Sequence, residues 1–160
     1  MKHSIAPTML AVVVATLFVP GIVRTAQAGD RDECSNATLH GSFGFTSIGT
    51  LLNLPPPLAG PFAEIGRQTF DGRGMTDATA TASANGNINK LTLEGTYSVD
   101  ADCTGSMTLA IVAPFVGAPF RADFVIDDDA TELRVIVYTA PGSIESRTYK
   151  KQFTRGRSEQ

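Results

Sequence analysis

Along most of this chain polar and apolar residues alternate. Over 90–99, Leu91, Leu93, Tyr97 and Val99 fall on one side and Lys90, Thr92, Glu94, Thr96 and Ser98 on the other, the two-residue period of a half-buried β-strand. Met107, Leu109 and Ile111 alternate in the same way with Thr104, Ser106 and Thr108 in the next run. Phe120, Ala122, Phe124 and Ile126 then oppose Arg121 and Asp123, and Leu133, Val135 and Val137 oppose Arg134 and Tyr138. No long segment after residue 28 repeats its apolar residues at the helical period.

Turn-forming clusters separate these runs at short intervals. Asp71-Gly72-Arg73-Gly74, Asn85-Gly86-Asn87, Asp100-Ala101-Asp102, Asp127-Asp128-Asp129 and Pro141-Gly142 each join two neighbouring runs, as hairpin connections do. With 39–50, 62–70, 75–84 and 143–153 added, the chain predicts about eight strands. Antiparallel strands with one apolar face each are buried by closing the sheet, so the expected fold is all-β, a single up-and-down antiparallel β-barrel. A β-sandwich is the alternative, disfavoured because Greek-key crossings need longer connections.

The first 28 residues depart from the alternation. Lys2 and His3 precede an almost unbroken apolar stretch over 9–19, Pro20 and Gly21 interrupt it, and Ala26-Gln27-Ala28 is a small-x-small cleavage pattern. The segment 1–28 therefore reads as a cleavable signal peptide, too short in its apolar part to span a bilayer, followed by one barrel domain over 29–160. A secreted or periplasmic location follows, with no membrane span after cleavage. The oligomeric state is open.

Cleavage leaves eleven basic against sixteen acidic side chains, a net charge of −5, which argues against nucleic acid as a partner. It also leaves Cys34 and Cys103 in an oxidising compartment, where two cysteines predict one disulfide. Metal sites find little support. Two cysteines and the single mature histidine, His40, are too few for a closed zinc set, and the run Asp127–Asp129 with Glu132 lacks the spacing and glycine of an EF-hand. That run reads as a solvated turn, and no cofactor is expected.

Candidate chemistry comes from the interior of the barrel. An eight-stranded barrel either fills its interior or holds one small ligand. In 75–84 the alanines Ala78, Ala80, Ala82 and Ala84 share one face, a small wall opposite large residues, so the lining candidates are Phe62, Gln68, Phe70, Ala80, Ala82, Leu93 and Phe124. In 62–70, Glu64 and Gln68 share the face of Phe62 and Phe70, while Arg67 lies with Ala63 and Ile65. An inward carboxylate needs a partner or a raised pKa and suits ligand orientation or proton transfer. A bulge at Gly66 would instead leave Glu64 in water at the barrel mouth, and this is the favoured reading of the strand.

Two segments carry a resemblance: Gly66-Arg67-Gln68-Thr69-Phe70-Asp71-Gly72-Arg73-Gly74, and Gly95-Thr96-Tyr97-Ser98-Val99-Asp100-Ala101-Asp102-Cys103-Thr104-Gly105-Ser106. Together they resemble a group of uncharacterised exported bacterial β proteins, which implies a secreted β protein and supplies no reaction. The strand pattern is also similar in architecture to lipocalin-like and allene-oxide-cyclase-like barrels, without a signature motif of either. Three functions are therefore expected in order. The first is a non-enzymatic barrel binding a small apolar molecule; the second is a barrel cyclase or isomerase using Glu64 with Arg67 or Tyr97. The third is a structural or adhesive surface protein.

Overall fold

The structure is a computed structural model that describes residues 33–127, 129–138 and 142–152. The expected signal segment lies outside the described residues, as does the end of the last predicted strand beyond 152. Eight strands form a closed antiparallel barrel in which each pairs with its neighbours in sequence and the last returns to the first. They are β1 (His40–Leu51), β2 (Gly60–Asp71), β3 (Met75–Ala84), β4 (Asn87–Val99), β5 (Thr104–Ala113), β6 (Phe120–Ile126), β7 (Glu132–Tyr138) and β8 (Ser143–Lys151). Closure leaves no free edge and fixes every register against two neighbours.

The alternation seen in sequence becomes the two faces of the wall. Leu91, Leu93, Tyr97, Met107, Leu109, Phe124, Leu133 and Val135 are buried inside, and all four alanines of β3 face inward with them. Lys90, Glu94, Asp77, Arg121, Asp123 and Arg134 are exposed outside.

The two ends differ. At the end carrying the short β2–β3, β4–β5 and β6–β7 turns, a 3-10 turn at Asn36–Thr38 leads Leu39 under the barrel, where it is completely buried. The Tyr97 hydroxyl donates to the Leu39 carbonyl at 2.9 Å, and Asn36 Oδ1 accepts from Val99 N–H at 2.8 Å. The Cys34–Cys103 disulfide ties this plug to the β4–β5 turn. Asn36 begins an Asn-x-Thr sequon, but its side chain serves here as part of the plug.

Above the plug Phe70 meets Phe43 and Tyr97 edge to face, at 5.5 and 5.1 Å between centroids, so aromatic rings fill this half of the interior. The Asp127–Glu132 turn is structural as well. Asp127 pairs with Arg134, and Asp129 accepts from both the N–H and the hydroxyl of Thr131.

Gly66 does not bulge. β2 runs in continuous register past it, and a Cβ at this position would stand 2.5 Å from the Thr79 carbonyl oxygen and 2.7 Å from the Phe45 ring, so the glycine is there because the neighbouring backbone and that ring leave no room for a side chain. The favoured sequence reading of Glu64 is thereby overturned: with the strand straight, Glu64 keeps the inward phase of Gln68 and Phe70 and is buried.

Candidate functional site

Ala82, Glu64, Ser47, Arg147 and Val135 are directly opposed, pair by pair, across β3, β2, β1, β8 and β7. All five face inward, so one row of the wall brings a carboxylate and a guanidinium to either side of Ser47. Glu145, two residues before Arg147, shares its phase and adds a second carboxylate. The side chains of Glu64, Glu145 and Arg147 are 1 %, 6 % and 4 % exposed, which makes this a desolvated charge cluster.

Its geometry is asymmetric. Arg147 Nε donates to Glu145 Oε1 at 2.7 Å, and the Ser47 hydroxyl donates to the same oxygen at 2.6 Å, so Glu145 is doubly held. Arg147 Nη2 approaches Glu64 Oε2 at 3.0 Å, but off the N–H direction, leaving an ion pair without an aligned hydrogen bond. Among the described residues Glu64 Oε2 is the one buried side-chain oxygen or nitrogen with no hydrogen-bond partner. The guanidinium itself lies over two rings, with its carbon 5.3 Å from the Phe45 centroid and 5.4 Å from that of Phe120.

Burial pushes the Glu64 carboxyl above its ordinary pKa; Arg147 counters this and Glu145 reinforces it. Burial alone would lower Arg147, but Tyr149 and the two carboxylates outweigh it and hold the guanidinium protonated. The site therefore combines a fixed cation, one well-bonded carboxylate and one carboxylate whose proton affinity is raised. Such a group can accept a hydrogen bond from a ligand or exchange a proton with it.

A second polar layer lies beneath. The Tyr149 hydroxyl donates to Gln68 Oε1 at 2.8 Å, and Gln68 Nε2 donates to Thr76 Oγ1 at 2.9 Å. Gln68 is completely buried and satisfied on both its oxygen and its nitrogen, which makes it a spacer between the charge cluster and the aromatic half.

The residues singled out in sequence separate accordingly. Glu64 is in the cluster, and Ala80 and Ala82 form the small wall beside it. Phe62 stands further toward the open end, partly buried against the core. Phe70, Leu93 and Phe124 belong to the packed interior. Arg67 is a correction: the alternation of β2 carries it to the outer face, where it is exposed, away from Glu64. Tyr97 is another, since its hydroxyl is engaged by the backbone carbonyls of Asn36 and Leu39 at the plugged end. The cation that does meet Glu64 is Arg147. The signal for it was the inward phase of Tyr149, which carries Arg147 and Glu145 inward with it.

Two shallow grooves lie on the outside of the wall, one over Arg67, Thr79 and Lys90 and one over Asp123, Arg134 and Thr148. No protein-family model, curated protein or solved structure matches this chain. Its site is accordingly read from its own geometry.

Proposed function

We propose that the barrel binds a small, largely apolar molecule through the end opposite the plug, with a hydrogen-bond donor of that molecule set against Glu64. The observation that carries this reading is the buried Glu64 Oε2, paired in charge with Arg147 but lacking an aligned donor. A buried acceptor left unbonded costs free energy that a ligand donor recovers. Two further features support it. Alanines line the wall beside Glu64, and the inward residues Phe62, Ile111 and Phe120 near this end are only partly buried, whereas Leu39, Phe43 and Phe70 seal the other.

Native mass spectrometry of protein purified from its own source tests the proposal. A co-purifying small molecule is expected, with affinity about 10- to 100-fold weaker in Glu64→Gln, the worth of one hydrogen bond to a charged group. Equal retention by Glu64→Gln, or no bound molecule in the native protein, overturns it.

A second reading follows from the raised proton affinity of Glu64: a cyclase or isomerase in which this carboxyl moves a proton on a bound substrate. Once a substrate is in hand, turnover that is unchanged in Glu64→Gln removes this assignment.

A further inference from the structure

Among the described residues the buried ionisable side chains are Glu64, Glu145, Arg147 and the tyrosines Tyr97 and Tyr149. With the phenols neutral and both carboxyls ionised, the interior holds two negative charges against one positive. No buried lysine or histidine among these residues supplies a second cation. An uncompensated charge in an apolar interior is costly, so the cluster is completed either by a proton or by a cation from outside.

The wall between Glu64 and the open end suits an apolar cation. One row nearer the mouth than Glu64, the inward residues Ala84, Phe62, Gly49 and Glu145 are directly opposed, pair by pair, across β3, β2, β1 and β8. Phe62 thus stands between an alanine and a glycine, only partly buried, and the row ends on the second carboxylate.

Other classes of ligand fit less well. Arg147 is engaged by Glu145, Glu64 and the rings of Phe45 and Phe120, so an anion finds no free cation here. A neutral donor satisfies Glu64 Oε2 but leaves the negative charge. A metal ion needs more oxygen ligands, and among the described residues no three Asp, Glu, His or Cys side chains come together to hold one.

We infer that the molecule taken up at Glu64 is a small apolar amine bound as its ammonium ion, one N–H donated to Glu64 Oε2 and the apolar body directed toward Phe62 and the mouth. This rests on the reading that Glu64 anchors a ligand inside the barrel. An ammonium brings both an N–H for the unbonded oxygen and a positive charge for the cluster, so one group meets two needs. Aromatic rings already attend the guanidinium, and an organic cation draws on the same attraction from Phe62. Without the amine, the raised proton affinity of Glu64 lets a proton take its place.

Three probes of equal chain length test the charge of the ligand: n-hexylammonium, hexan-1-ol and hexanoate. Each is titrated calorimetrically into the native protein and into Glu64→Gln, at neutral pH and physiological ionic strength, where salt screens the outer acids. The native protein is expected to bind hexylammonium about tenfold or more tighter than hexanol, and hexanoate most weakly. In Glu64→Gln the remaining Glu145 and Arg147 balance, so the preference for ammonium over alcohol should disappear. Equal binding of alcohol and ammonium by the native protein overturns the amine assignment and leaves the apolar-ligand reading standing. An ammonium preference that persists undiminished in Glu64→Gln also overturns it, by placing the cation elsewhere. Binding of none of the three overturns both.

Discussion

Arg147 Nη2 stands 3.0 Å from Glu64 Oε2 inside the barrel, and the same guanidinium is hydrogen-bonded to Glu145, so one buried cation serves two buried carboxylates. Desolvating three charges opposes folding, and their mutual attraction offsets that cost only through good geometry and further hydrogen bonds. Glu145 has both. Glu64 has the attraction without the bond, which makes it the member of the cluster most open to change, whether by a proton or by a ligand.

The first prediction removes the cation. Arg147→Met leaves two carboxylates facing each other in an apolar interior and is expected to destabilise the barrel by about 3–5 kcal/mol in chemical denaturation. The triple variant Glu64→Leu/Glu145→Leu/Arg147→Met is expected to recover most of that loss, because uncharged side chains of similar volume remove the desolvation penalty together with the attraction. A cost below about 1 kcal/mol for Arg147→Met would mean that water reaches the cluster.

The pH dependence of stability separates Glu64 from the surface acids. Its folded pKa is raised above an unfolded value near 4.3, so between the two values the folded state binds the extra proton and stability falls as pH rises through that window. Asp71, Asp102 and Asp129, held below the ordinary range chiefly by hydrogen bonds from nearby backbone and hydroxyl donors, act with the opposite sign. Their contribution is present above about pH 3.9 and is lost as pH falls. Stability curves of the native protein and Glu64→Gln should therefore run parallel below about pH 4 and diverge above it, with the decline present only in the native protein. Curves that stay parallel throughout would place Glu64 in water.

The barrel was legible because most of its interior is apolar, so the two-residue period of β4 to β7 reported inside and outside directly. The site was legible only in part, for a physical reason. In β8 the rule inverts: Ile144 is exposed while Glu145 and Arg147 are buried, so hydrophobicity points the wrong way, and only Tyr149 carries the correct phase. Glu64 was placed on its proper face by Phe70 and Gln68. Its burial was obscured by Gly66, which reads as a bulge until the Phe45 ring that fills its space is seen. Arg67 looked like the partner because it is near in sequence, but neighbours that differ by an odd number along a strand point to opposite sides.

Face assignment can be measured on β4 and β5. Leu93 and Leu109 are both 1 % exposed, and truncating either to alanine is expected to cost about 2–5 kcal/mol. Thr108, whose side chain faces outward beside Leu109, should change stability by less than about 0.5 kcal/mol as Thr108→Ala. The reverse order in denaturant titrations would mean that the register of these strands is shifted by one residue.

The disulfide gives the last prediction, because it fastens a segment that noncovalent contacts also hold. Cys34 and Cys103 lie 69 residues apart, and in the chain-entropy model closing a loop of that size stabilises by about 4 kcal/mol. Mass spectrometry of the native protein should find no free thiol, and Cys34→Ser/Cys103→Ser should lose up to about that amount. Asn36 and Leu39 remain bonded to Val99 and Tyr97 without the bridge, so the double variant is expected to fold. The loosening should be local. Amide hydrogen exchange should rise over 34–39 and the β4–β5 turn, while amides flanking Ser47, Glu64 and Arg147, in the half of the barrel away from the plug, keep their protection. Two free thiols in the native protein would remove the bridge. Exchange that rises equally at Glu64 and at Leu39 would show that the plug and the charge cluster unfold as one unit.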